Sequence, residues 1–224
     1  MIDLSPLWLS CRLALIVTIL LFVISIPLAY WLAYSKFKLK TVAEVIITLP
    51  LVLPPSVLGF YLLIAFSPAN TFGKFIDTYF NLRLVFTFTG LVVASVIYSL
   101  PFMVNPMVAG FKNLPVSLKE ASFTLGKSKF TTLIKILLPN IRASLLTGIV
   151  MTFAHTIGEF GVVLMVGGSI PKETRVVSIA VYDEVESMNY HNANVYALIL
   201  FVFTFLILLG VHLINNKKQA TTLL

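Results

Sequence analysis

Long runs of apolar residues alternate with short polar segments along almost the whole chain. A membrane-spanning helix needs about 20 predominantly apolar residues, and several runs approach or exceed that length. They cover about residues 10–34, 43–66, 84–111, 141–166 and 193–214. The pattern predicts an all-α integral membrane protein with five transmembrane helices. Residues 1–216 would form one transmembrane domain, and residues 217–224 a short cytoplasmic tail.

Charged residues are few and are concentrated in the connections. They make up 11% of the chain, against roughly 25% in a soluble domain, and the mean hydropathy is +0.98. Eleven basic residues share one side of the predicted topology: Lys36, Lys38, Lys40, Lys112, Lys119, Lys127, Lys129, Lys135, Arg142, Lys217 and Lys218. Because Lys and Arg accumulate in cytoplasmic loops, the N-terminus is predicted outside and the C-terminus in the cytoplasm. A basic face with interleaved aromatics, as nucleic-acid binding requires, is not visible.

Prolines interrupt two of the predicted spans. The second contains Pro50, Pro54 and Pro55, and the third contains Pro101 and Pro106. Proline removes a helical hydrogen bond and clashes with the preceding turn, and the freed backbone groups must be satisfied by protein or by a water-filled cavity. The two spans are therefore predicted to be broken or kinked, either because they line a path or move, or simply because they bend to pack.

The fourth span carries the one clear intramembrane acid, Glu159, one helical turn after His155. An ionisable side chain in hydrocarbon is costly and marks a functional or tightly packed polar site, although Glu159 could also lie near the outer interface and cap a neighbouring helix. Gly158 and Gly161 flank it and would permit close helix packing. Small polar residues of the third and fourth spans complete a candidate translocation path of Ser99, Thr152, Thr156 and Glu159. Two possible ligands are too few for a metal site.

A segment on the outer side, Thr174–Ser187, has apolar residues at helical spacing and acids clustered at its end. This pattern predicts an amphipathic helix that lies on or dips into the outer leaflet.

The longest polar connection, residues 112–140, is predicted to be cytoplasmic and to form two short amphipathic helices. Ser117 and Glu120 have the spacing of a capping box, and Leu114, Leu118, Ala121 and Leu125 follow one helical face. Gly126 would end the first helix, Ser128 would cap the second, and Pro139 would mark the turn into the fourth span. Such short helices are marginal alone in water, so the loop is predicted to need a partner surface.

The loop lacks a nucleotide site of its own. Gly126-Lys127-Ser128 has the last three residues of a phosphate-binding loop, but position 121 is alanine where that motif requires glycine. Any ATP-driven step must therefore come from another subunit, and no cofactor is expected in this chain.

The loop resembles the EAA loop of bacterial ABC importer permeases of the type I fold. Glu120-Ala121-Ser122, then Gly126, then Ile136 and Leu138-Pro139 match the pattern EAA-x3-G-x9-I-x-L-P in full spacing. The departure is Ser122, where the family usually has alanine. Three further segments are similar to the molybdate and sulfate branch: residues 49–59, 158–161 and 170–175.

This resemblance implies a non-catalytic permease subunit that imports molybdate, or possibly tungstate, across the bacterial inner membrane. Two permease copies would form the pore, two cytoplasmic ATPases would bind ATP and Mg²⁺ and drive transport, and a periplasmic oxyanion-binding protein would deliver the anion. The loop residues that would engage the ATPase are Glu120, Ala121, Ser122, Gly126, Ile136 and Pro139. Glu120 has two possible roles, a contact to the ATPase or a helix cap.

Three other functions are alternatives to this one. A permease for sulfate or another oxyanion would carry the same motifs. An ATP-independent channel or secondary transporter would be expected to show internal repeats, and none is visible. An intramembrane enzyme would need a catalytic constellation beyond His155 and Glu159.

Overall fold

The computed structural model describes residues 3–222, and every regular element in that part of the chain is helical. The helices are α1 (Ser5–Tyr34), α2 (Lys40–Thr48), α3 (Pro55–Phe66), α4 (Thr71–Phe80), α5 (Phe88–Lys112), α6 (Val116–Thr124), α7 (Lys129–Thr132), α8 (Leu138–Asn140), α9 (Arg142–Gly158), α10 (Gly161–Gly167), α11 (Val177–Glu186) and α12 (Tyr190–Thr222). A 3₁₀ turn, Leu49–Leu51, follows α2, and a π-helical turn, Leu133–Leu137, joins α7 to α8. The last two residues of the 217–224 tail lie outside the described residues.

Helices α1, α5 and α9 pack against one another and form the centre of the protein. Leu13, Val17 and Leu21 follow one face of α1 and are almost completely buried, because residues three and four apart share a helix face. Met103 and Met107 of α5 are buried against that core. The long first and third spans of the sequence prediction are thus both spanning helices and the internal scaffold.

Three helices in the described part of the chain are long and apolar enough to cross a membrane: α1, α5 and residues Tyr190–Gly210 of α12. Two bent helix pairs raise the number to five if each pair counts as one span, namely Lys40–Leu51 with Pro55–Phe66 and Lys129–Asn140 with Arg142–Gly158. The prediction of an all-α membrane protein is confirmed.

The second predicted span is broken at its prolines, as expected. The limbs before and after the break meet at 110°, so residues 43–66 are not a single straight rod. Pro54 has extended backbone, and Pro55 is the first residue of α3. Because proline cannot donate the helical hydrogen bond but is tolerated in the first turn, this pair ends one limb and begins the next.

The third span, which was predicted to be broken or kinked, does not break. Helix α5 runs without interruption through Pro101 and Pro106. Pro101 is buried against neighbouring helices and Pro106 is half-buried, and in proteins tertiary packing supplies most of the stability of a helix. The fourth span is instead the broken one, because α9 ends at Gly158 and α10 begins at Gly161.

The outer segment after α10 forms α11, and most of its apolar residues pack against protein. Val177, Ile179 and Ala180 are fully buried, in contact with α12, α1 and α9. Just before the helix, Arg175 forms an ion pair with Asp183, with 2.8 Å between Nε and Oδ2. The prediction of an interfacial helix is therefore wrong, because the apolar face that suggested it is covered by protein.

Candidate functional site

The loop of residues 112–140 folds as two helical pieces joined at Gly126. Helix α6 ends at Thr124, and Gly126 follows with a φ of 70°, a left-handed conformation that glycine adopts without a steric penalty. The Ser128 hydroxyl then accepts a hydrogen bond of 3.1 Å from the backbone N–H of Thr131 and caps α7. The predicted helix–glycine–helix arrangement is confirmed.

The predicted capping box is absent. Helix α6 begins at Val116 with Pro115 in the cap position and has no side-chain cap. Ser117 therefore already lies inside the first turn, and the spacing to Glu120 no longer corresponds to the cap positions. The Glu120 side chain is exposed, and of its two possible roles the helix cap is excluded.

Ser122 of the motif is buried and joins the two halves of the loop. Its hydroxyl lies 2.8 Å from the hydroxyl of Thr132, and Thr132 in turn donates to the carbonyl of Ser128 at 2.9 Å. Since Thr132 has only one hydroxyl proton, Ser122 must be the donor of the pair. Alanine, the usual family residue at this position, could not make this bond, so the departure from the motif has a structural use.

Two large apolar side chains of the loop, those of Leu125 and Phe130, are exposed. Leu125 is 74% exposed and Phe130 is 73% exposed, whereas Leu118 and Ser122 lie on the inward side of α6. Of the predicted apolar face of α6, Leu118 is half-buried, whereas Ala121 and Leu125 are exposed. Exposed large apolar groups at the cytoplasmic end form a surface that a soluble partner can cover.

The remaining motif residues lie where the loop returns to the membrane domain. Ile136 packs against the main core, and the carbonyl of Ile136 accepts a hydrogen bond of 2.7 Å from the Asn140 side chain. Pro139 sits in α8, directly before a bend of 78° into α9. The sequence prediction of a turn at Pro139 is confirmed.

A chain of buried hydroxyls crosses the interface between α5 and α9. The Ser99 hydroxyl lies 3.0 Å from both the Nδ1 of His155 and the hydroxyl of Thr156, and Thr156 donates to the carbonyl of Thr152. The single proton of Ser99 is then directed at Thr156, so His155 must carry its proton on Nδ1 and donate to Ser99. Two predicted path residues, Ser99 and Thr156, are thus brought together.

The four predicted path residues share one region, but none faces an open channel. Ser99, Thr152, Thr156 and Glu159 are each at most 4% exposed. The Thr152 hydroxyl and both Glu159 carboxyl oxygens have no hydrogen-bond partner among the described residues. The Ser95 hydroxyl lies beside the Glu159 carboxyl without completing a hydrogen bond to it. Their role in translocation stays a prediction.

The break between α9 and α10 borders a cavity of about 450 Å³. The residues that line it are Pro55, Ser56, Tyr98, His155 and residues 158–161. A Cβ atom on Gly161 would lie 2.7 Å from the Cβ of Pro55, so the predicted close-packing role of Gly161 is confirmed. Gly158 has open space around it, and the same prediction for Gly158 is wrong.

Two cytoplasmic contacts were not predicted from the sequence. Lys112 lies 3.3 Å from Glu44 Oε1, which is also 4.0 Å from the Lys40 ammonium. Lys119 of α6 faces Tyr34 of α1. The partners are 68 and 85 positions apart along the chain, so no local pattern could have revealed them.

This geometry defines a class of protein: a polytopic helical membrane protein that presents a helix–glycine–helix loop with exposed apolar side chains. The chain belongs to the family described as the binding-protein-dependent transport system inner membrane component, which it matches over residues 25–217.

The chain is similar to permeases that are named for molybdenum transport and for sulfate transport. The chain is 42% identical to the molybdenum transport system permease protein ModB of Azotobacter vinelandii, covering 94% of this chain and 93% of that protein. It is 32% identical to the putative molybdenum transport system permease protein YvgM of Bacillus subtilis over 96% of this chain and 93% of the relative. A probable sulfate transport system permease protein of Marchantia polymorpha is 31% identical over 92% of this chain and 71% of its own length.

Solved structures support the fold. The inward-facing MetNI methionine ABC transporter aligns with a TM-score of 0.72 at 17% identity, covering 95% of this chain and 94% of that chain. An amino acid ABC transporter aligns with a TM-score of 0.62 at 18% identity, covering 96% and 92%. The predicted type I importer permease fold is confirmed.

Proposed function

We propose that this chain is the membrane subunit of an importer that carries molybdate into the cytoplasm, driven by ATP hydrolysis on a separate subunit. The observation that carries the proposal is the exposure of Leu125 and Phe130 on the loop of residues 112–140. The same loop matches the EAA pattern. Burying one such side chain contributes about 1.5–3 kcal/mol. Covering both side chains with an ATPase subunit would therefore stabilise the complex.

The relatives support the choice of anion. Two of the proteins reported above are named for molybdenum and one for sulfate, and the molybdenum permease of Azotobacter vinelandii has the highest identity of the three, 42%. Molybdate, tungstate and sulfate are all tetrahedral dianions, so neutral hydrogen-bond donors suffice to hold any of them. Sulfate is therefore the second candidate substrate.

The assembly that follows contains two copies of this chain, two ATPase subunits that bind ATP and Mg²⁺, and a periplasmic binding protein, all at the bacterial inner membrane. Ser99, Thr152, Thr156 and Glu159 remain our candidates for groups along the path. Because all four are at most 4% exposed here, an anion would reach them only after the surrounding helices move.

The test is uptake of labelled molybdate into proteoliposomes that contain this chain and its ATPase, with the binding protein added outside and ATP supplied to the ATPase side. We expect uptake that requires hydrolysable ATP and is inhibited by tungstate more strongly than by sulfate. Vesicles that receive a non-hydrolysable ATP analogue are the control. Uptake at the same rate without ATP would contradict the proposal and favour a channel, while stronger inhibition by sulfate would change the substrate.

A further inference from the structure

Lys119 occupies an unusual position for a charged residue of the cytoplasmic loop. It is half-buried on the inward side of α6, next to Leu118, while Glu120 is exposed. Lysine ordinarily keeps its ammonium group in water. A lysine that turns toward the membrane domain therefore needs a specific set of contacts there.

Three aromatic rings surround the Lys119 ammonium group. Its Nζ lies 4.1 Å from the ring centre of Tyr34, 5.6 Å from that of Tyr30 and 5.9 Å from that of Phe123. A cation within about 6 Å of a ring centre is attracted by the negative face of the ring. Tyr30 and Tyr34 belong to α1, so this group of four residues, the aromatic anchor, joins α6 to the end of a spanning helix.

The aromatic anchor continues into the core. The Tyr34 hydroxyl donates to the carbonyl of Phe111 at 3.1 Å. The fully buried Phe111 ring lies 6.0 Å from the ring of Tyr30 and 6.1 Å from that of Tyr34. The next residue, Lys112, forms the ion pair with Glu44 of α2. One continuous set of contacts thus connects α6 to the cytoplasmic ends of α1, α5 and α2.

We propose that Lys119 is a positioning residue that ties α6 to α1 through the aromatic anchor, so that movement of the loop is transmitted to the spanning helices. This role rests on the proposed function, because it assigns to Lys119 a part in coupling rather than in ATPase docking. The direction of the side chain separates the two roles: the ammonium faces the rings of the membrane domain, while Leu125 and Phe130 face outward.

The experiment compares Lys119→Met, Lys119→Arg and Lys38→Met in the assembled complex. Lys119→Met keeps the apolar stem and removes the charge, Lys119→Arg keeps a cation that can stack on the rings, and Lys38→Met removes the same charge from an exposed cytoplasmic site. With Lys119→Met we expect amide exchange of residues 116–124 to accelerate about two- to fivefold, the shift that an exposed cation–π contact produces. Anion uptake per ATP should fall by a similar factor, and the amount of co-purified ATPase should stay unchanged.

The two control variants should match the wild type in all three measurements. Tyr34→Leu should reproduce the effect of Lys119→Met, and the double variant should be no worse than the more impaired single one, because both changes remove the same contact. Tyr34→Phe keeps the aromatic ring, so Lys119→Met should still accelerate amide exchange in that background. The proposal would be overturned if the losses of the two single variants multiplied in the double variant. It would also be overturned if Lys119→Met left amide exchange unchanged but reduced the amount of co-purified ATPase. If the wild type showed no ATP-driven uptake, only the proposed function would be refuted. The contact between Lys119 and the aromatic anchor is tested by amide exchange, which does not require transport.

Discussion

The cytoplasmic loop and the interface between α5 and α9 arrange polar and apolar groups in opposite ways. In the interface, the hydroxyls of Ser99 and Thr156 are sealed inside the protein. In the loop, Leu125 and Phe130 are exposed, whereas Lys119 and Ser122 turn inward. Each region therefore inverts the usual rule that apolar groups are inside and polar groups outside.

The difference shows what surrounds each region. Lipid offers no hydrogen bonds, so small polar groups in a spanning helix bond to one another or to the backbone. The loop extends into water, where exposed leucine and phenylalanine side chains are unfavourable unless another protein covers them. Ser99 and Thr156 thus find their hydrogen-bond partners within one chain, while the proposed function gives the exposed loop side chains a partner protein. Substitutions in the two regions should therefore affect different measurements.

The largest effect should come from Gly126→Pro in the loop. Proline fixes φ near −65°, whereas Gly126 has a φ of 70° and its N–H donates to the carbonyl of Phe123 at 2.9 Å. The turn between α6 and α7 should be lost, and ATP-driven uptake should fall to background. Gly126→Asn is the matched control, because asparagine tolerates the left-handed conformation and nothing lies within 4 Å of the added Cβ. Normal uptake by the proline variant would contradict the role of the loop.

A smaller but more specific effect is expected from Leu125→Asp combined with Phe130→Asp. Both side chains are more than 70% exposed in the isolated chain, so the thermal stability of the chain in detergent should not change. Losing two apolar contacts of about 1.5–3 kcal/mol each should weaken ATPase binding at least tenfold in a co-purification or titration assay. Leu125→Met with Phe130→Leu serves as the control. A large fall in stability without a change in binding would mean that the surface is packed against this chain.

The sequence predicts the elements that depend on local chemistry. The Gly126 turn, the Ser128 cap and the break at Pro54 and Pro55 are confirmed, because each depends on the allowed backbone angles or hydrogen bonds of one or two residues. The spans follow from apolar runs that few other structures can accommodate. The proximity of Ser99 and Thr156 could also be predicted, because small polar residues of spanning helices tend to meet at helix interfaces.

The predictions that failed depend on neighbours that are distant in the sequence. The direction of Lys119 could not be predicted from the apolar spacing of α6, because its ammonium group faces the Tyr34 ring of α1, which is distant in the sequence. Helix α11 looked like an interfacial helix because its apolar face could not be matched to protein from local pattern alone, yet Val177 is fully buried. An apolar helix face has the same periodicity whether lipid or protein covers it. Only the tertiary structure shows which of the two does.

Ser99→Ala tests the interface rather than the loop. The change leaves the Nδ1 of His155 and the hydroxyl of Thr156 without their common partner, and an unsatisfied buried polar group costs about 1–3 kcal/mol. Thermal unfolding in detergent should therefore occur at a lower temperature, while ATPase binding to the intact complex stays unchanged. Ser56→Ala, at an exposed position beside the cavity, is the control. A loss of ATPase binding without a loss of stability would break the proposed separation between the two regions.

The smallest effect is expected from Ser122→Ala, which restores the usual family residue in the loop. The variant removes the donor to Thr132 but leaves the bond from Thr132 to the Ser128 carbonyl intact, so the cost should be only about 0.5–1.5 kcal/mol. Amide exchange of residues 122–132 should accelerate modestly, and uptake should persist because the outward surface of Leu125 and Phe130 is unaltered. Ser117→Ala is the control, since Ser117 caps no helix here. If Ser122→Ala abolished uptake, the hydrogen bond between Ser122 and Thr132 would itself be required for coupling. The functional part of the loop would then include buried residues as well as its exposed surface.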